Sequence, residues 1–352
     1  MQELNGLQRI VTAIKLRQPD VVPTFDWVDK KVRDAIMGDT NASCEDFIDY
    51  LDLDGIVLAD RISTWGYEPL GVNKRGRQLK RCQWGAIIQF TDEGTGIPME
   101  PAIKSEKDLD SYVPPDPDLP WRYERLKQLV KRFKGHRAII TGCTDVFDVA
   151  KENLLGDAQY YKAMVQNPGV VDRVNEIALN YQLQYVKNCI DIGADVIFVN
   201  GDWAMTEGPM VSREFIQRFV APSLQKIVEY AHSRGVPCIK HSDGNIWSIY
   251  DIIIDAGADA IHPIDPMAGM DIGEAKAKFG DKVCLVGNVN CATTLVSGTV
   301  DEVRQEVKEV IRKAGKGGGL ICTSSNSIHS GVKPENYVAM VKAIREYGAH
   351  LA

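Results

Sequence analysis

The chain has 352 residues, 41 Lys plus Arg against 48 Asp plus Glu for a formal charge of −7, with 44% hydrophobic and 25% charged residues. That is the balance of a globular enzyme with room for a large core, and its acidic excess opposes nucleic-acid binding, which needs basic surface. No run approaches the ~20 apolar residues of a membrane helix, a signal peptide's apolar core is missing from the charged N-terminus, and the eight scattered cysteines read as reduced thiols of a cytoplasmic protein.

In chain order, short β-branched runs predict strands at Val22–Asp26, Gly55–Asp60, Ala138–Cys143, Asp195–Asn200, Pro237–His241, Ala260–Pro263, Val283–Gly287 and Leu320–Thr323. Helical spacing fills most of the gaps, as at Ser212–Ser233, Val300–Ala314 and Pro334–Tyr347. Near-continuous apolar strands that alternate with helices imply a parallel sheet covered on both faces. Eight such units favour a single α/β domain over residues 1–352, a (β/α)₈ TIM barrel; an open sheet is the alternative. The long stretch between strands two and three breaks the rhythm. There Arg77–Phe90 alternates like a hairpin turning near Trp84-Gly85, an insertion over the barrel mouth.

Chemistry in such a barrel sits where the strands end, and the ends here are polar. They carry Asp26-Trp27, Asp60, Asp202-Trp203 with Glu207 beyond, His241-Ser242-Asp243, His262, Asn288 and Asn326. A His and an Asp two apart on one strand end can bind zinc or share a proton; a structural His satisfied by its neighbour is the bland alternative. Glu207 could join a metal site or simply open a helix. Trp27, Trp65 and Trp203 could wall an apolar ligand or pack in the core. The glycine run Gly315–Gly319 precedes a strand, so it reads as a helix stop and not a phosphate cradle.

Several stretches together resemble the uroporphyrinogen decarboxylase superfamily. They are Gly201-Asp202-Trp203 with Glu207-Gly208-Pro209, Lys240-His241-Ser242-Asp243-Gly244-Asn245, Val286-Gly287-Asn288-Val289-Asn290, Ser324-Ser325-Asn326 and Val332-Lys333-Pro334-Glu335-Asn336. The resemblance spans essentially the whole chain and implies a single (β/α)₈ barrel. It also implies one of two chemistries: decarboxylation in haem biosynthesis, or cobalamin-dependent methyl transfer. The decarboxylases clamp a polyacid with an N-terminal Arg-rich signature, whereas this chain has Val22-Pro23-Thr24-Phe25-Asp26-Trp27 there. The thiol-methylating branch holds zinc with His-x-Cys and a later Cys. Here His241 matches the His, Asp243 stands at the first Cys and Asn326 aligns near the second. Oxygen ligands make zinc a harder Lewis acid, suited to polarising an ether.

The resemblance therefore implies an O-demethylating methyltransferase of one-carbon metabolism. It would pass methyl from a small methoxylated substrate, aromatic ones included, to Co(I) of a corrinoid carried by a separate protein. His241, Glu207 and Asp243 would hold zinc; Asp202, Asn288, Asn326 and Asp60 would be catalytic; Asp26, Trp27, Trp65, Trp203 and His262 would bind substrate. A decarboxylase using Asp60 and a non-catalytic corrinoid-protein or ligand binder are the alternatives. No nucleic-acid or membrane partner is expected, and a homodimer stays open.

Overall fold

The computed structural model describes residues 3–59, 68–91 and 96–349. Asp60 and Trp65, expected to be catalytic and substrate-binding, lie outside the described residues. In chain order the strands are β1 (Gly55–Ala59), β2 (Glu68–Val72), β3 (Gln78–Arg81), β4 (Ile87–Phe90), β5 (Gly96–Glu100), β6 (Ala138–Thr144) and β7 (Val196–Asn200). They continue with β8 (Ala204–Met205), β9 (Gly208–Pro209), β10 (Cys238–His241), β11 (Ala260–His262), β12 (Cys284–Val289) and β13 (Leu320–Ser324).

Seven of these form a parallel sheet in the order β1-β6-β7-β10-β11-β12-β13, each strand beside its successor in the α/β rhythm. Side chains alternate across it and sort into two cores. Ala138, Ile140, Val196, Phe198, Ile239, Ala260, Cys284, Val286 and Ile321 face one another on the concave side, with Phe25. Their neighbours Ile139, Ile197, Val199, Cys238, Ile261, Leu285, Leu320 and Cys322 pack with the covering helices. The first helix, Gly6–Ile14, starts from an Asn5/Gln8 capping box and adds Ile10, Ala13 and Ile14 to the concave core. Its Leu7 N–H donates to His136 O, just ahead of β6, so it plugs the end where the strands begin.

Val22–Asp26, expected as the first strand, is extended but forms no ladder. Pro23 has no N–H to give, and the Thr24 N–H goes to the Asp54 carboxylate at 2.8 Å. What remains are single bonds to both edges of the sheet. Asp54 N donates to Thr24 O at 2.9 Å, Cys322 N to Pro23 O at 3.0 Å and Ile328 N to Trp27 O at 2.8 Å.

Between β1 and β6 the chain folds a separate antiparallel sheet, β2-β3-β4-β5. Its β3–β4 pair is the hairpin expected at Arg77–Phe90, turning at Trp84-Gly85, where Gly85 N–H donates to Cys82 O. The helix expected at Ser212–Ser233 is continuous but widens into a π turn at Ile216–Val220. Pro222, just after Ala221, has no N–H to donate to the Arg218 carbonyl. The glycine run is indeed a helix exit, and a Cβ at Gly318 (φ +83°) would overlap the Arg17 backbone.

The plugged end is locked by Asp54. Its carboxylate is buried and meets Arg345 at 2.7 Å and Arg9 at 3.3 Å, joining the first helix, β1 and the last helix, Pro334–Gly348. Removing one member of a buried ion pair strands the others without water. Asp54→Ala is expected to cost about 3 kcal/mol, read as a lower urea midpoint at unchanged slope.

Candidate metal centre where the strands end

The same alternation carries polar side chains to the open end of the concave face. His241 follows Ile239 on β10, and His262 follows Ala260 on β11. Both line a cavity whose wall includes Phe25, Trp27, Phe198, Asn200 and Asn326. His241 Nε2 lies 3.6 Å from Asp202 Oδ1 and 3.8 Å from Asp243 Oδ1. One ligand atom from each of Asp202, His241 and Asp243 falls within 4.8 Å of the others.

The electrostatics of this trio suit a cation. Burial first, then the neighbouring Asp202 and Asp265, push the Asp243 carboxyl up to about 8. Its Oδ2 accepts from the Asn326 amide, while its Oδ1 is buried without a hydrogen-bond partner. An orphaned carboxylate oxygen beside a second carboxylate and an imidazole is a set of donors that fits zinc or a harder divalent ion. Burial, and then the Lys240 charge, lower the His241 ring to about 3, so it is a neutral ligand. Its Nδ1 lies 2.7 Å from His262 Nδ1, and burial holds His262 well below its usual range too.

A buried brace fixes the trio. Lys240, adjacent to His241, points to the opposite face and has no exposed surface. Its ammonium donates to Asp145 Oδ2 at 2.6 Å and Gly201 O at 2.7 Å, 4.8 Å from the centre of the Trp203 ring. Trp203 Nε1 donates to the same Asp145 oxygen at 2.9 Å. Asp202 N donates to Asp148 Oδ2 at 3.2 Å, and Asp243 N donates to Asp202 Oδ1 at 2.8 Å. Gly201 must be glycine for this approach: a Cβ there would sit 2.6 Å from Asp148 Oδ2. The ends of β6, β7 and β10 are thereby tied through one ammonium.

The site thus brings together His241, Asp243, Asp202, Asn326, His262 and Trp27, and it corrects three expectations. Trp203 is not a cavity wall: it is fully buried, its ring N–H committed to Asp145. Glu207 is not in the metal-capable group: it stands exposed at the turn between β8 and β9, and Asp202 takes its place. Asn288 does not line the cavity, because its amide donates to Ile264 O at 3.0 Å.

Asp26 contributes to the cavity wall, but its Oδ1 accepts from Ser324 N at 3.2 Å and meets Ser324 Oγ at 2.5 Å. It therefore staples the segment before Trp27 to β13. Asp145 and Lys240 were missed. Asp145 directly follows β6, where the strand-end rule would have found it; Lys240 is a charge within a fully buried strand, next to His241.

The carboxyl of Asp26 is raised to about 7, chiefly by burial, against the hydrogen bonds from Ser324. The Ser324 hydroxyl also faces Asn326 O, so its single proton has two acceptors, and a protonated Asp26 removes the conflict. The folded protein then holds a proton that the unfolded chain has lost above about pH 4. This contribution is complete below pH 4 and is lost as pH rises through 7, by at most about 1.4 kcal/mol per unit. Asp26→Asn, which mimics the protonated form, is expected to flatten that decline and to exceed the parent's stability at pH 8, measured by urea unfolding at pH 5 and 8.

A curled parallel sheet plugged at one end, with an imidazole and carboxylates gathered at the other, defines an α/β enzyme fold of the TIM-barrel type. The family model for uroporphyrinogen decarboxylase matches residues 83–347, and the chain belongs to that family. Curated relatives include the uroporphyrinogen decarboxylase of Psychromonas ingrahamii, 24% identical over 76% of this chain and 80% of that protein. That of Pelodictyon phaeoclathratiforme is 28% identical over 73% and 74%. Among solved structures, a methyltransferase from Methanosarcina mazei shares the fold with a TM-score of 0.75 and 19% identity, covering 98% of this chain and 99% of that one. No described helix is long and apolar enough to cross a membrane.

Proposed function

We propose that the protein is a cytoplasmic, zinc-dependent methyltransferase that takes methyl from a small methoxylated compound and passes it to Co(I) of a corrinoid on a separate partner protein. The carrying observation is the Asp202–His241–Asp243 trio at the mouth of an aromatic-walled cavity. The methyltransferase with the same fold supports this reading. On this reading Val22–Asp26 would close the sheet as the eighth strand of a (β/α)₈ barrel, one domain with β2–β5 as its insertion.

Asp202, His241 and Asp243 would hold the zinc, which would supply Lewis-acid polarisation of the ether oxygen. The chain's own groups do the rest. Phe25, Trp27 and Phe198 exclude water and hold the apolar body of the substrate. Asn326 orients Asp243 through its amide. The Lys240 brace keeps the trio in place before substrate arrives, so no reorganisation is needed on binding. A corrinoid held by the partner protein would supply the methyl acceptor, and it would have to reach the substrate through the opening of this cavity.

The decarboxylase reading is favoured by the names of the curated relatives, with Asp60 as the acid. No Arg or Lys is among the described residues lining the cavity, which leaves a polyacid without a clamp.

Purified protein is expected to carry about one zinc per chain, a stoichiometry set by the single trio, and His241→Ala to lose it, as read by elemental analysis. Incubation with reduced corrinoid protein and a panel of methoxylated compounds should give the methyl-cobalt spectrum with at least one of them. Undiminished transfer after chelation, or carbon dioxide release from an acid substrate with no methyl transfer, would overturn the proposal.

A further inference from the structure

We infer that His262 sets the proton arrangement of the metal centre: a metal on His241 turns His262 from a hydrogen-bond donor to its neighbour into an acceptor, with its own N–H facing the cavity. The inference rests on the metal-binding reading above and concerns only where two protons sit on this chain's own rings.

The geometry leaves little freedom. The two Nδ1 atoms are 2.7 Å apart, so one proton lies between them. A neutral imidazole has a single N–H to place. His241 Nε2 looks at Asp202 and Asp243, 3.6 and 3.8 Å away. Without metal, the nearer acid, Asp202, favours the His241 proton on Nε2, the edge that faces it. His241 Nδ1 is then bare and accepts from His262 Nδ1–H, which leaves His262 Nε2 as a lone pair.

With a metal on His241 Nε2 the proton must move to Nδ1, where it donates to His262 Nδ1. His262 then carries its proton on Nε2. That atom bonds to no described protein group, and the ring lines the cavity. The loaded site therefore presents an N–H to the ligand.

The ligand class follows from that N–H. A heteroatom with a lone pair and no proton of its own, such as an ether or carbonyl oxygen, is matched by the loaded site. The oxyanion left when an ether loses its methyl would be matched more strongly, as an ionised acceptor. A ligand that can only donate faces an N–H it cannot satisfy and pays desolvation for it.

The test is nitrogen NMR of the full-length protein labelled with ¹⁵N-histidine, with zinc and after chelation, the His262 signals being assigned by their loss in His262→Gln. The expected result is transfer of the His262 proton from Nδ1 to Nε2 when zinc is added. Zinc binding that leaves the proton on Nδ1 overturns this inference alone; absence of zinc binding overturns it together with the metal reading.

A second measurement is zinc affinity. In His262→Gln the side-chain carbonyl can still accept from His241, so this variant should stay within a few-fold of the parent, whereas His262→Phe should lose about 10- to 100-fold. Equal affinity of both variants with the parent overturns the positioning role.

Discussion

Alternation of side chains along a parallel strand is the constraint on which the site depends. Lys240 and His241 are consecutive, so the pleat must send them to opposite faces of β10. The imidazole enters the concave side with the cavity; the ammonium enters the layer between sheet and helices. Because both ride on one strand, the ion pair that fixes Lys240 also fixes His241. Asp145 completes the effect from β6, two strands away in the sheet order, across β7. The strands carry His241 and His262, while Asp145, Asp202, Asp243 and Asn326 sit on the connections just beyond strand ends.

The negative charge is distributed with the same economy. Asp54 at the plugged end is neutralised by two arginines, and Asp145 in the middle by Lys240. At the open end no cation among the described residues faces Asp202 and Asp243, and burial raises Asp243 instead. Acids that are buried and paired at the plugged end and in the middle, yet half-buried and without a cation at the open end, are the ground for proposing a metal there. Lys240 does not serve there, since its ammonium is turned away toward Gly201 and Asp145.

Seven of the eight strands were legible because buried parallel strands are written as apolar runs, and their observed ends fall within a residue or two of the expected ones. The first was not a laddered strand because its hydrogen bonding is decided by Pro23 and by a carboxylate thirty residues away. Within the site, His241 and Asp243 could be read from their spacing. Trp203 could not be placed from sequence, since an indole beside a strand end can face a cavity or a buried acid, and the acid that settles it is Asp145, far away in the chain. Glu207 and Asp202 differ for a related reason: which acid of one loop turns inward is set by the Gly201 approach to Asp148 and by the β8–β9 turn, neither of which has a local signature.

The two histidines link fold to specificity. His262 is held against His241 because β10 and β11 are paired in register, His241 beside His262, with Phe198 against both rings. Register therefore fixes a hydrogen bond between two neutral rings on the cavity wall. Such a pair cannot change the proton on one ring without changing the other, so anything that takes the lone pair of His241 Nε2 is reported at His262 Nε2. With one imidazole and two carboxylates, the ring pair is the part of the site that can distinguish a ligand's lone pair from a ligand's proton, and it does so at the point where the aromatic wall ends.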